Sequence, residues 1–388
     1  MTAPVVAVVG GGQLARMMAP AATALGVHLR VLVESATSSA AQVVVDAPVG
    51  SASDEAAITR LSEGADALTF EHEHVPNALL DRLEAAGVAV HPDAAALVHA
   101  QDKIVMRTRL AALGAPVPDW AELGSASDLA EFLAAHDGVA VVKTSRGGYD
   151  GKGVRVVGDA ADVVDWFAAV ADGTGVPLLA EEKVPFTREL AVLLARRPSG
   201  EIRTWPVVES VQRDGVCSEV VAPAPDLDPA TQAQALDVAT RIAAGLGVTG
   251  VLAVELFEVA DAAGGPPRVL VNELAMRPHN SGHWTIDGSV TSQFEQHLRA
   301  VLDLPLGDTS PRSPWTVMAN VLGSALPDPV DALADVARLD AGAKVHLYGK
   351  EVRAGRKLGH VNVSGDDLDD VRRRAVAAAA LLRGDASA

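Results

Sequence analysis

Two carboxylates and an amide stand inside apolar runs. Glu255 follows Val251-Leu-Ala-Val254, and Asn272-Glu273 follow Val269-Leu-Val271. A charge in such a run is costly unless it is paired, bound to a cation or turned to solvent. Between the runs, Asp261-Ala-Ala-Gly-Gly-Pro-Pro267 is turn chemistry, so the two read as arms of a hairpin whose register the spacing does not fix. Carboxylates and an amide on facing arms make a hard oxygen site of the kind Mg²⁺ shares with nucleotide phosphates. The alternative is a half-exposed hairpin with its carboxylates in water. Just downstream, Arg277-Pro-His-Asn-Ser-Gly-His283 gathers a guanidinium, two imidazoles, an amide and a hydroxyl. That is dense donor chemistry for a connection; a zinc pair of His279 and His283 competes but is weakly supported by its three-residue gap.

Lys143 closes another apolar run and precedes Ser145-Arg-Gly-Gly-Tyr-Asp-Gly-Lys-Gly153. A mobile glycine loop offers backbone amides that close over a polyphosphate, and the lysine adds a point charge. Walker spacing is absent; the adjacency of lysine and loop favours phosphate over an ordinary hairpin. Glu181-Glu182-Lys183-Val184 ends a strand, with Glu189 just beyond. Such an edge can pair its backbone with adenine while a later carboxylate accepts ribose hydroxyls. Gly10-Gly-Gly-Gln-Leu-Ala15 fits G-x-G-x-x-A, with Glu34 at Rossmann distance. A different phosphate, or packing alone, would use the same turn. Phe70-Glu-His-Glu-His-Val-Pro76 follows a strand at the edge where open α/β sheets hold ligands; it suits a substrate, a metal or plain solvation. Lys350, Arg353, Arg356 and Lys357 reverse the local charge, as a phosphate-bearing small substrate requires, although a solvated turn has the same composition.

Strands and turns must hold these groups. Strand-like runs at 5–9, 28–33, 43–47 and 67–70 alternate with helical segments at 13–24, 54–63 and 77–86, which predicts a doubly wound parallel sheet. A helix at 95–113 runs to the connector Ala115-Pro-Val-Pro118. A helix (127–135) and strands (139–143, 154–157, 178–183) follow. Then come an antiparallel meander (189–196, 203–211, 217–222), a helix at 229–246, the hairpin (251–259 with 268–274) and, after a proline-rich connector, a small unit ending in an alanine-rich helix at 369–382.

The 388 residues carry 32 Lys plus Arg against 50 Asp plus Glu, a net charge of −18, which argues against nucleic acid and anionic membranes as partners. No apolar run is long enough to span a bilayer. The single Cys217 excludes an intramolecular disulfide and multi-cysteine metal sites. The start Met-Thr-Ala-Pro-Val lacks a basic leader region, so a cytoplasmic location is expected.

In this order the segments resemble the ATP-grasp superfamily and, within it, the 5-(carboxyamino)imidazole ribonucleotide synthases, the ATP-dependent carboxylases of purine biosynthesis. The marks are Gly11–Met17, Gly147–Gly153, the specific string Asn272–Thr285, and Gly355–His360. The resemblance spans nearly the whole chain. It implies an α/β and α+β ATP-grasp fold in three parts: an N-terminal Rossmann-like unit (1–98), an ATP-grasp unit (99–306) with a mobile glycine-loop subdomain (about 118–187), and a C-terminal unit (307–388). It also implies ATP, Mg²⁺ and bicarbonate.

The implied roles are as follows. Glu255 and Glu273 hold Mg²⁺. Lys143, Gly148, Tyr149, Asp150, Gly151, Lys152, Gly153 and Val154 surround the phosphates. Glu181, Glu182, Lys183 and Val184 meet adenine, Glu189 takes the ribose, and His99, Gln212 and Asn272 complete the ATP site. Gln13, Leu14, Glu73, Arg277, His279, Ser281, Lys350 and Arg356 bind the ribonucleotide, with Lys350, Arg277 and Tyr149 catalytic. A homodimer and a transient hand-off of product to a mutase are also implied. His99 and Gln212 depart from some relatives, which carry arginine and histidine there, and Met276 replaces a common proline. Another ATP-grasp ligase would share the nucleotide residues but not Arg277–His283 with Arg356. A nicotinamide oxidoreductase would leave Glu255, Glu273 and the glycine loop without a role. A non-enzymatic nucleotide sensor would not need the metal pair.

Overall fold

A computed structural model describes residues 3–148, 153–213 and 215–385. At the N-terminus three parallel strands lie in the order His28–Leu32, Val5–Val9, Ala67–Phe70. Val9 pairs with both Leu32 and Phe70, so the strands end level. The Gly10–Gly12 turn and the loop from Glu71 therefore leave the sheet side by side. The strand expected at 43–47 does not form. The segment makes only isolated bridges, Arg30 to Asp46 and Val33 to Val49, after a short 3-10 turn. Val44 is buried in the N-terminal core while Val43 and Val45 are exposed, so the run packs by one side chain without the continuous pairing that would make it a strand.

The single helix expected at 95–113 is two, Ala94–Gln101 and Lys103–Ala112. Asp102 separates them in extended conformation, and its carboxylate accepts from the amides of Ile104 (3.0 Å) and Val105 (3.2 Å). An N-cap of this kind restarts a helix where apolar periodicity alone reads through.

Beyond the double-proline connector, a four-stranded antiparallel sheet runs in the order Trp120–Leu123, Leu178–Glu182, Ala140–Thr144, Val154–Val157. Helix Ala126–Ala135 packs Leu129, Phe132 and Leu133 into its core.

The largest sheet has nine strands. Its path runs Arg268–Ala275, Gly250–Val259, Arg188–Arg196, Val208–Arg213, Val216–Ala222, Trp315–Leu322, Lys357–Gly365, Lys344–Leu347; Ile202–Thr204 pairs off this path with Arg188–Arg196. The strand expected at 203–211 is thus broken. Pro206 has no amide to donate, and Trp205 turns inward, fully buried, its indole N–H donating to the Thr291 carbonyl at 3.1 Å. The C-terminal strands add directly to the central sheet through Val216–Ala222 and Trp315–Leu322, and helix Leu368–Arg383 covers that end. No helix among the described residues is long and apolar enough to cross a membrane.

Candidate active site

The hairpin register places Glu255 directly opposite Glu273. The next pair is Leu256 with Val271, so Asn272 is an extra residue, a β-bulge. In a regular strand, Asn272 and Glu273 would face opposite sides. Here both are partly exposed between buried neighbours on either side.

Crowding of carboxylates sets the electrostatics. Burial, then Glu273 and Glu189, push the Glu255 carboxyl up to about 8. Burial lowers His279 to about 3, so its imidazole is neutral. The 3.3 Å approach of His279 Nε2 to Glu255 Oε1 is therefore a contact of largely uncharged groups at neutral pH rather than an ion pair. The other ring nitrogen of His279 bonds with the Ser281 hydroxyl at 2.9 Å. Glu189, one strand over, is raised by burial and by Glu273, and Gln212 hydrogen-bonds to it. Lys103 Nζ lies 3.4 Å from Glu273 Oε1.

Two cavities meet at these carboxylates. The smaller, about 440 Å³, has apolar walls from Val154, Val184, Phe257 and half-exposed Phe186, whose ring stacks on Phe257 at 4.6 Å. Lys143, Glu181, Glu182, Lys183, Glu189, Gln212 and Asn272 supply its polar groups, and Ser281 lines it too. Gly153, at φ +68°, closes the turn before Val154, where a Cβ would strike Thr144. Lys143 Nζ sits 2.7 Å from Glu181 Oε2 and 3.4 Å from Asn272 Oδ1. The Glu181 side chain is buried between Lys143 and Arg107, and the two cations outweigh its burial and hold it below the usual carboxylate range.

The larger cavity, about 700 Å³, is lined by Gln13, Leu14, Glu73, Arg277, His279, Lys350 and Arg356. His99 and Gly148, grouped by sequence with the nucleotide, line this cavity instead. Arg277 Nε pairs with Glu73 Oε1 at 2.8 Å. Lys350 donates to the Gln13 side-chain carbonyl and lies 5.8 Å from the Tyr348 ring centroid; burial lowers its pKa. Its loop is strapped to the N-terminal unit: the Ser39 hydroxyl donates to the Tyr348 carbonyl (2.5 Å) and the Gln42 amide to the Gly349 carbonyl (2.7 Å). Tyr149, Asp150, Gly151 and Lys152 lie outside the described residues.

Sequence reasoning gave no role to three participants. Glu71, buried, accepts from the amides of Gly12 and of Leu14 (3.3 Å). It thereby occupies the amides that a dinucleotide pyrophosphate would need, which removes the nicotinamide alternative's main support. Lys103 and Arg107 stand four residues apart on helix Lys103–Ala112, a spacing that places two cations on one face and was the available signal.

The four-stranded and nine-stranded sheets and the paired carboxylates between their cavities define an ATP-grasp enzyme. The ATP-grasp domain family matches residues 108–294, the ribonucleotide synthetase preATP-grasp domain 3–101, and the phosphoribosylaminoimidazole carboxylase C-terminal domain 316–374. The chain is 56% identical over 382 residues to the N5-carboxyaminoimidazole ribonucleotide synthase of Mycobacterium tuberculosis (strain ATCC 25618 / H37Rv), covering 97% of this chain and 87% of that one. The Thermus thermophilus synthetase structure superposes with a TM-score of 0.86 at 38% identity, covering 99% of both chains. An Aspergillus clavatus synthase structure in complex with ADP and 5-aminoimidazole ribonucleotide gives 0.86 at 29% identity, covering 98% of this chain and 99% of that one. The chain belongs to the N5-carboxyaminoimidazole ribonucleotide synthase family.

Proposed function

We propose that this protein carboxylates the exocyclic amine of 5-aminoimidazole ribonucleotide, using ATP and bicarbonate and releasing ADP and phosphate, in de novo purine biosynthesis. The observation that carries this is the meeting of two unlike cavities at Glu255 and Glu273. One has apolar walls and a buried lysine, as a nucleotide needs; the other presents Arg277, Lys350 and Arg356 in a chain of net charge −18. Bicarbonate is a poor electrophile, so the γ-phosphoryl group is transferred to it, and the resulting carboxyphosphate delivers an activated carboxyl to the amine. Such chemistry asks for positioning, charge neutralisation and exclusion of water rather than a protein nucleophile.

Glu255 and Glu273 would hold Mg²⁺. The donor set fits: two hard oxygen groups face each other across the hairpin. Mg²⁺ ordinarily takes one or two carboxylates and completes its shell with phosphates and water. When bound, it neutralises charge on the transferring phosphoryl group. Lys143, with Tyr149–Val154, would hold the phosphates, Glu181–Val184 the adenine, and Glu189 the ribose, with Gln212 and Asn272 flanking them, while His99 and Gly148 would border the larger cavity. Gln13, Leu14, Glu73, His279, Ser281 and Arg356 would seat the ribonucleotide. Arg277, Lys350 and Tyr149 would lie nearest the carboxyl being transferred. We assign the units 1–98, 99–306 and 307–388, a cytoplasmic homodimer, and transient hand-off of a labile carbamate product to a mutase.

The test is ADP release with 5-aminoimidazole ribonucleotide, with and without bicarbonate, for the native protein and Glu273→Ala. Ribonucleotide-stimulated release that needs Glu273, with a bicarbonate-derived carboxyl on the product, is expected. ATP binding with no response to the ribonucleotide would refute the substrate assignment and leave another ATP-grasp ligase.

A further inference from the structure

Arg107 has no exposed surface, yet no step above uses it. Its Nε donates to Glu181 Oε1 at 2.8 Å. Its two terminal nitrogens donate to the carbonyls of Val271 (2.9 Å) and Asn272 (2.8 Å). Those carbonyls belong to the bulge that precedes Glu273. The other Glu181 oxygen lies 2.7 Å from Lys143 Nζ. One guanidinium thus touches both sheets that wall the nucleotide cavity, the strand carrying Glu273 on one side and the strand carrying Glu181 on the other.

We propose that Arg107 is a positioning residue of the ATP site: it neutralises Glu181 so that Lys143 is free to leave that carboxylate for phosphate, while its fork pins the bulge that aims Asn272 and Glu273. The inference rests on the ATP-dependent function above. Charge arithmetic carries it. Arg107, Glu181 and Lys143 together bear one net positive charge. Without Arg107, Glu181 and Lys143 become a buried neutral pair, and ATP must break an ion pair in low dielectric to recruit the lysine. Removing Glu181 as well restores the net positive charge at Lys143. A residue that merely filled space would show the reverse, with the second substitution adding damage.

The experiment measures Kd for ATP–Mg²⁺ by calorimetry, and KM for ATP and for the ribonucleotide, in the native protein, Arg107→Met, Glu181→Gln and the double variant. Arg107→Met is expected to weaken ATP by about tenfold or more, the middle of the range for contacting groups, with KM for the ribonucleotide within about twofold of native. The double variant is expected to recover part of that loss, the share carried by Lys143, while the share carried by the unpinned bulge remains. A double variant no better than Arg107→Met, or both KM values rising together, would overturn the inference. If Arg107→Met does not fold, Glu181→Gln alone decides. Tighter ATP binding supports competition between Glu181 and phosphate for Lys143; binding weakened about tenfold would show that Glu181 orients the lysine instead. Failure of the function itself is separate, since it would appear as absent ribonucleotide-stimulated ADP release in the native protein.

Discussion

Binding of Mg²⁺ should expel a proton from Glu255. The carboxyl is raised to about 8 by burial and by Glu273 and Glu189, and a cation needs it ionised. A group titrating near 8 is about nine-tenths protonated at pH 7 and half protonated at pH 8, so release should be close to one proton at pH 7 and about half a proton at pH 8. Apparent affinity should strengthen about fiftyfold between pH 6 and pH 8, because the ionised fraction rises from about one-hundredth to one-half. The sign for stability is opposite. The folded state binds this proton more tightly than the unfolded chain, whose value is near 4.5, so metal-free stability is lost as pH rises from there through about 8. The ceiling is about 5 kcal/mol, since each tenfold gain in proton affinity corresponds to about 1.4 kcal/mol. The side chain is 24% exposed to the cleft, which reduces that to a few kcal/mol. Calorimetry of Mg²⁺ and of ATP–Mg²⁺ binding in buffers of different ionisation enthalpy counts the protons directly. Glu255→Gln should release none and should flatten the stability profile of the metal-free protein between pH 6 and pH 9. Equal release from both proteins, or none from the native one, would refute the assignment of the raised carboxyl to the metal position.

Lys350→Met should raise KM for the ribonucleotide by about tenfold or more while leaving Kd for ATP–Mg²⁺ within about twofold, because Lys350 reaches Gln13 in the larger cavity only; steady-state kinetics and ATP calorimetry separate the two. Asp102→Ala should cost about 1–2 kcal/mol in chemical denaturation through loss of the cap on helix Lys103–Ala112, and should weaken ATP because that helix delivers Lys103 and Arg107.

Much of the site could be read in the sequence because its residues sit at ends and turns, where local composition says most. Glycine density at 147–153, the donor-rich Arg277–His283 and the charge reversal at Lys350–Lys357 all stand out against an acidic, alanine-rich chain. Hairpin arms at 251–259 and 268–274 were legible to within a residue, but their register was not, because a bulge is one unpaired residue with no local signature. Errors in the fold share a cause. Apolar periodicity runs through Asp102 and Trp205, where a cap and an inward tryptophan impose the break, and β-branched residues at 43–45 suggested a strand that no neighbouring strand completes. Glu71 was given no role of its own, and Lys103 and Arg107 were overlooked as site residues, because their partners lie 57 to 170 positions away, beyond any local pattern.

Because the central sheet continues through Trp315–Leu322 into Lys357–Gly365, and the Lys350 loop is strapped to Ser39 and Gln42, the larger cavity joins the N-terminal sheet to the C-terminal strands. A nascent chain still lacking its final strands would present Val216–Ala222 as an open sheet edge, a template for aggregation, and its larger cavity would lack the wall that carries Lys350 and Arg356. Synthesis itself therefore orders the appearance of activity. The smaller cavity can mature first, and the larger one comes last, once the strands on either side of the Lys350 loop have been made.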